Sequence, residues 1–426
     1  MTEPADLEKP QERVKIFFAL TSSSVNQLLI QFASVPLFLR YFSHREYAIW
    51  LIASSIAQFS SLLDLGTVTS SQNTFQMLSY QTQSKVIHSR ILQLNFILAI
   101  TFVCYGFASI VYSSKKDLKT SIVLIAILLM SNYLQAIVGI YEGLTRAQRK
   151  FSKGILSANG LKLFDFLGLS LGILLFSPNL IGAALTSLGV KFSFFFFLIL
   201  RSSSTQQFFT FGRIKFFDLR NLLAEGFPFL LSKLADWLFV SGAVIVLSTH
   251  FKPSMIVFFV LLRTFFRQNL QISILIGSSF AYSSADAWAR KDLNRMKTIV
   301  QNLFKIQVAI ILVFILLNVL GSSHIFLKWT HNEFALNSRF LLIGIIYSSI
   351  VVINQSIRNF FNSINLNRVV SRIYFIFSIL QLIALRTNSI VSGPESAFIA
   401  LAITEILILG VTSFLISGTI KKQFAI

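Results

Sequence analysis

Apolar residues in this chain come in blocks of roughly twenty, the length that crosses the hydrocarbon core of a bilayer, and polar residues gather between the blocks. Runs such as SIVLIAILLM and FSFFFFLILR are unbroken. They lack the alternation that the ten-residue strands of an outer-membrane barrel require. The pattern therefore predicts helices near residues 14–42, 46–76, 91–112, 121–141, 154–176, 180–200, 226–249, 254–281, 298–320, 338–361, 369–387 and 396–417. That is an all-α integral membrane protein of about twelve transmembrane helices. The eleventh block is the least apolar, interrupted by Arg386 and followed by SGPES.

The longest predicted connection is RSSSTQQFFTFGRIKFFDLRNLLAE, residues 201–225. It is basic and polar and falls midway along the series of blocks. It reads as a cytoplasmic linker between an N-terminal lobe, residues 1–200, and a C-terminal lobe, residues 226–426. Each lobe contains a span, a tight outer turn and an aromatic-rich span. The turn is HRE before YAIWLIASS in the first lobe and HFKPS before MIVFFVLLR in the second. Parallel repeats of this kind are a transporter architecture, with the substrate site between the repeats. The expectation is two six-helix lobes around a central cavity.

Composition agrees. The 426 residues are 54% hydrophobic and 13% charged, where a soluble protein carries about a quarter charged residues. A soluble protein with a phenylalanine-rich core is thereby set aside. The one cysteine, Cys104, lies inside an apolar run, which excludes disulfides within the chain and cysteine metal sites. His44, His88, His250, His324 and His331 are scattered, with no H-x-x-x-H spacing. No metal and no cofactor are expected. The formal charge of +20 comes from Lys and Arg in the connections. Such residues face anionic headgroups, so nucleic acid is not the implied partner.

The opening residues, MTEPADLEKPQER, are polar and acidic, and the first apolar run is too long for a signal h-region. It is expected to be a retained first span. With that span entering from the cytoplasm, about 22 Lys and Arg fall on the cytoplasmic side and about 9 on the other. Both termini are then cytoplasmic. The KKDLK loop, residues 115–119, goes against this count.

Charges inside spans cost on the order of 3 kcal/mol each, so they face a cavity or a partner and mark function. Lys162 and Asp165 lie three apart on the fifth span, and Lys233 and Asp236 repeat the spacing on the seventh. Each pair reads either as a local ion pair or as part of a site. Arg263 and Arg267, four apart in VFFVLLRTFFRQN, share a helix face and repel each other. Counted at about 1.5 Å per residue from the outer end, they lie roughly 14 and 20 Å deep. Lys233 and Asp236 reach similar depth from the inner end, so Asp236 is expected to balance one arginine. A surplus of positive charge remains, and the planar arginine fork suits phosphate oxygens. Lys191 either lines the same cavity or reaches outward. Asp64 sits near the cytoplasmic end of the second span, beside Gly66. Glu405, in AITEILIL, is an isolated carboxylate within the twelfth.

Three stretches carry a resemblance. The run E-Y-A-I-W, followed by L-L-D-L-G and then Asn73, resembles the second-span signature of bacterial polysaccharide flippases. These form the O-antigen (Wzx-type) branch of the multidrug/oligosaccharidyl-lipid/polysaccharide exporter (MOP) superfamily. The matching positions are Glu46, Tyr47, Trp50, Asp64, Gly66 and Asn73, and Ala48 stands where the family has glycine. GLTRAQRKF, residues 143–151, resembles the loop after the family's fourth span, matching at Gly143, Arg146 and Arg149. FLKWTHNEF, residues 326–334, resembles its outer loop before the tenth span.

The resemblance implies a MATE-like fold and a transporter rather than an enzyme. The implied substrate is an undecaprenyl-diphosphate-linked oligosaccharide, an O-antigen or related repeat unit of lipopolysaccharide or polysaccharide biosynthesis. It would cross the bacterial inner membrane by alternating access. In that reading Arg263, Arg267, Lys233, Lys162 and Lys191 form the cationic cavity for the diphosphate. Asp64, Asp165, Asp236 and Glu405 are the coupling or gating carboxylates, with a proton or sodium as counter-ion. Two other readings stay open. A multidrug exporter of the same fold would favour an acidic cavity for cationic drugs. A polymerase or ligase of glycan assembly would present catalytic residues on a large outer loop. The longest outer segment here, residues 321–337, is short and carries one acid, Glu333.

Overall fold

The computed structural model describes residues 10–62, 116–147, 151–201, 216–289, 292–363, 367–389 and 393–424. The predicted span near 91–112, the end of the one near 46–76 with Asp64, Gly66 and Asn73, and residues 202–215 of the connecting segment lie outside them. So does Arg149.

Helices form wherever the apolar blocks are described. They are α1 (Pro10–Tyr41), α2 (His44–Ala57), α3 (Lys116–Ala147), α4 (Phe151–Phe176), α5 (Leu180–Arg201) and α6 (Phe216–Trp237). There follow α7 (Ala243–Ser248), α8 (Pro253–Phe266), α9 (Gln268–Ala289), α10 (Leu293–Trp329), α11 (Ser338–Ser363), α12 (Asn367–Ser389) and α13 (Pro394–Phe424). Among the described residues, nine helical stretches are long and apolar enough to cross a membrane.

Boundaries differ from the apolar blocks where polar residues still support a helix. α6 starts at Phe216, inside the predicted linker. α10 starts at Leu293, where Asp292 caps it by accepting from Arg295 N at 3.0 Å. Arg386 does not interrupt α12; it sits exposed in the last turn, where a cation suits the helix dipole. The HRE turn begins α2 with a capping box. Ser43 N donates to Glu46 Oε2 at 2.9 Å, and Glu46 N returns a bond to Ser43 Oγ at 3.3 Å. Glu46, read as part of a family signature, thus has a local structural task.

By contacts the chain divides into two compact units. Unit 1 is Met1–Ile30 with Tyr41–Lys233, and unit 2 is Gln31–Arg40 with Leu234–Ile426. The division crosses α1 and α6 rather than falling in loops.

In unit 1, α4 packs closely on α5 through small residues. A Cβ on Gly168 would stand 2.9 Å from the Cα of Ser187, and one on Gly172 would stand 2.7 Å from the Cα of Ala183. Glycine at that four-residue spacing lets two backbones approach in lipid, where apolar burial alone supplies little drive. In unit 2, a core of Ala235, Phe239, Met296, Phe361, Tyr374 and Ile408 joins α6, α10, α11, α12 and α13. Between α6 and α7 the backbone widens into a π turn, Leu238–Gly242.

Candidate functional site

The close α4–α5 contact sets one polar cluster inside unit 1. Asp165 lies one turn before Gly168. Ser187 and Lys191, four apart on α5, share the face that meets it. Lys191 Nζ is 2.8 Å from Asp165 Oδ2 and donates to Ser131 Oγ of α3, also at 2.8 Å. Ser187 Oγ donates to the same carboxylate. Lys191 is 2% exposed. Of the two readings open for Lys162 and Asp165, the local ion pair does not form. The carboxylate turns across to α5, where Lys191 is wholly buried and has no water as an alternative. Lys191 is correspondingly not a surplus cation. Lys162 lies half-buried on α4, within electrostatic reach of Glu142 and Lys191.

A second cluster lies inside unit 2. Its centre is the π turn, whose backbone leaves carbonyls open to side-chain donors. Arg263 of α8 donates from Nη1 to Val240 O, and Gln381 of α12 donates from Nε2 to Phe239 O at 3.3 Å. Arg263 is buried, and its guanidinium lies 5.6 Å from the Phe259 ring. Two residues before the π turn, Asp236 receives Arg358 of α11 in a two-pronged pair, with Nη2 to Oδ2 at 2.6 Å. Arg358 also stacks 4.6 Å from the Tyr374 ring of α12. Glu405 of α13 is buried and accepts from Asn354 Nδ2 of α11 at 2.7 Å. Arg267 caps α8 and lies within electrostatic reach of Tyr347 and Glu405.

The sequence reading pairs Asp236 with Arg263 or Arg267. Its partner is Arg358 instead, near the end of the predicted tenth span. The eighth span is also not one helix through both arginines: α8 ends at Phe266, and Arg267 takes φ −92 and ψ 4 before α9 begins. Lys233, half-buried on α6, is the last residue of unit 1, while Asp236 belongs to unit 2. Asp64 lies outside the described residues. Sequence reading missed Arg358, Tyr374 and Tyr347. The signal available was the four-residue spacing of Asn354 and Arg358 in VINQSIRNFF, which sets both on one helix face.

Unit 2 thus gathers three guanidinium groups, Arg263, Arg267 and Arg358, and two carboxylates, Asp236 and Glu405. Among the described residues Arg263 makes no ion pair; its partners are a carbonyl and an aromatic face. The cluster has a surplus of one positive charge and planar donors that suit an oxyanion.

These clusters sit in a membrane fold of the MATE type, helical throughout nearly all of the described residues, which is also the fold of transporters of the MOP superfamily. The chain is similar to the inward-facing conformation of a multidrug resistance MATE family transporter, with TM-score 0.66 and 14% identity, covering 96% of each chain. It is equally similar to lipid II flippase MurJ in an inward closed conformation, with TM-score 0.66 and 17% identity, covering 96% of this chain and 88% of that one. A point mutant of the Vibrio cholerae MATE transporter VcmN gives 0.65 at 15% identity, covering 97% and 96%. No protein-family profile and no curated protein sequence matches the chain.

Proposed function

We propose that this protein is a flippase that carries an anionic, lipid-linked oligosaccharide across the bacterial inner membrane by alternating access, with both termini cytoplasmic. The substrate class is an undecaprenyl-diphosphate-linked repeat unit of O-antigen or a related polysaccharide. The observation that carries this reading is Arg263. A buried guanidinium held only by neutral groups retains most of its five donors for an oxyanion. Arg267, one turn on, offers a second fork. The fold, shared with a lipid II flippase and with multidrug transporters, supports transport rather than catalysis. Among the carboxylates, Asp165 and Asp236 are each neutralised by a bonded cation. Glu405, bonded to an amide, is the group we assign to proton or sodium coupling.

Native mass spectrometry of the purified protein with undecaprenyl diphosphate, undecaprenol or ethidium tests this. The diphosphate lipid is expected to bind, and Arg267→Gln to weaken it by about tenfold, the scale of one charge-assisted hydrogen bond. Equal binding of the uncharged alcohol would overturn the reading. Preferential binding of ethidium would replace it with the multidrug alternative.

A further inference from the structure

Pro36 lies inside α1. Proline has no N–H, so the carbonyl four residues earlier, that of Phe32, loses its helical donor. Trp329, the last residue of α10, supplies one. Its Nε1 donates to Phe32 O at 2.8 Å, and its ring lies 5.4 Å from the ring of Phe32. The indole also meets the rings of Phe265 and Phe326, at 5.9 and 6.0 Å. His331 then brings Nε2 to 3.2 Å from Pro36 O. A carbonyl only accepts, so this nitrogen donates.

His331 occupies an unusual place for its residue type. α10 ends in a paired cap, with His331 N donating to Lys328 O at 3.2 Å and Asn332 N to Leu327 O at 2.8 Å. The backbone there is left-handed, with φ 52 at His331 and 65 at Asn332. Glycine is the usual residue at the first of these positions because it has no Cβ to crowd the turn. A histidine costs stability there, and its ring is what glycine would lack. Phe32, Pro36, Trp329 and His331 all belong to unit 2, although α1 begins in unit 1.

We propose that Trp329 and His331 form a latch that holds the proline-interrupted end of α1, residues 31–40, to unit 2. The latch works by replacement: an indole N–H substitutes for the amide hydrogen that Pro36 lacks. This gives the WTH of FLKWTHNEF a task independent of any substrate. Trp329 and His331 are positioning residues for the first span.

The test uses the full chain with its one cysteine removed, Cys104→Ser, and a reporter at the buried Leu39, Leu39→Cys. Maleimide labelling reads release of this segment. Labelling is expected to be slow in the parent and about tenfold faster in Trp329→Phe, which keeps a ring and loses the donor. Adding Pro36→Ala should return the rate to that of the parent, because the restored backbone N–H at that position then reaches Phe32 O. His331→Gly should also label faster while melting no lower, since glycine relaxes the cap. A parent-like rate in Trp329→Phe, or no recovery with Pro36→Ala, would overturn the latch. Should Trp329→Phe fail to fold, unchanged labelling in His331→Gly does so alone.

Discussion

Arg358 grips Asp236 with both prongs of its guanidinium while its face rests on Tyr374, 4.6 Å from the ring centre. The arginine side chain is 11% exposed and the aspartate 49%. Geometry rather than charge alone sets its value, because a lysine offers neither the fork nor the flat face. Arg358→Lys is expected to cost about 1–2 kcal/mol, less than a fully buried pair because water reaches the carboxylate. Thermal unfolding in detergent measures this. A lysine variant as stable as the parent would show that any cation serves.

The Lys191–Asp165 pair differs because its lysine is fully buried. Lys191→Met leaves Asp165 facing Ser131 and Ser187 without its cation, an expected loss of about 2–3 kcal/mol. Asp165→Asn alone strands a buried ammonium and should cost at least as much. The double variant, Lys191→Met with Asp165→Asn, should recover much of the loss, since no unpaired charge remains. Melting of the four proteins closes the cycle. Additive losses would mean that the two side chains do not depend on each other.

Much of the fold is legible in the sequence because a bilayer imposes length: an apolar block of about twenty residues has few other uses. α3, α4, α5 and α11 fall close to their predicted ranges for that reason. What composition does not reveal is interruption. Nothing in LLRTFFRQN announces that α8 stops at Arg267, and no apolar count marks the π turn after Trp237. Lys191, Arg263 and Glu405 are buried, as charges inside apolar blocks are expected to be, but the sequence does not name their partners. Spacing offers candidate pairs within one helix, such as Lys162 with Asp165, whereas Asp165–Lys191 and Asp236–Arg358 cross between helices and depend on rotation and depth. A one-turn error in either reassigns the partner, as for Asp236, which takes Arg358 rather than Arg263 or Arg267.

The α4–α5 contact gives a prediction with an internal control. Gly172→Ala places a Cβ 2.7 Å from the backbone of Ala183, which cannot swing aside as a side chain does. The helices must separate, at about 1–3 kcal/mol. Gly189→Ala, on α5, meets nothing within 4 Å and should be neutral or stabilise by up to about 1 kcal/mol through helix propensity. Equal effects of the two, read as melting temperatures, would mean that propensity rather than close approach decides.

Glu405 and Asn354 separate a structural role from a coupling role. Asn354 Nδ2 donates both to Glu405 Oε2 at 2.7 Å and to Glu405 O at 2.9 Å, so one amide ties α11 to α13. Glu405→Gln keeps an acceptor oxygen for that amide and should change stability by less than about 1 kcal/mol. Asn354→Leu removes the donor to a buried carboxylate together with the bond to the Glu405 backbone carbonyl, and should cost about 3 kcal/mol or more. Adding Glu405→Leu to Asn354→Leu should restore part of that loss, because the buried carboxylate left without its amide donor is then gone. If Glu405 serves ion coupling, Glu405→Gln will fold like the parent yet lose the dependence of lipid translocation on an imposed proton or sodium gradient in proteoliposomes. A Glu405→Gln protein that keeps the gradient dependence would confine this carboxylate to holding α11 and α13 together.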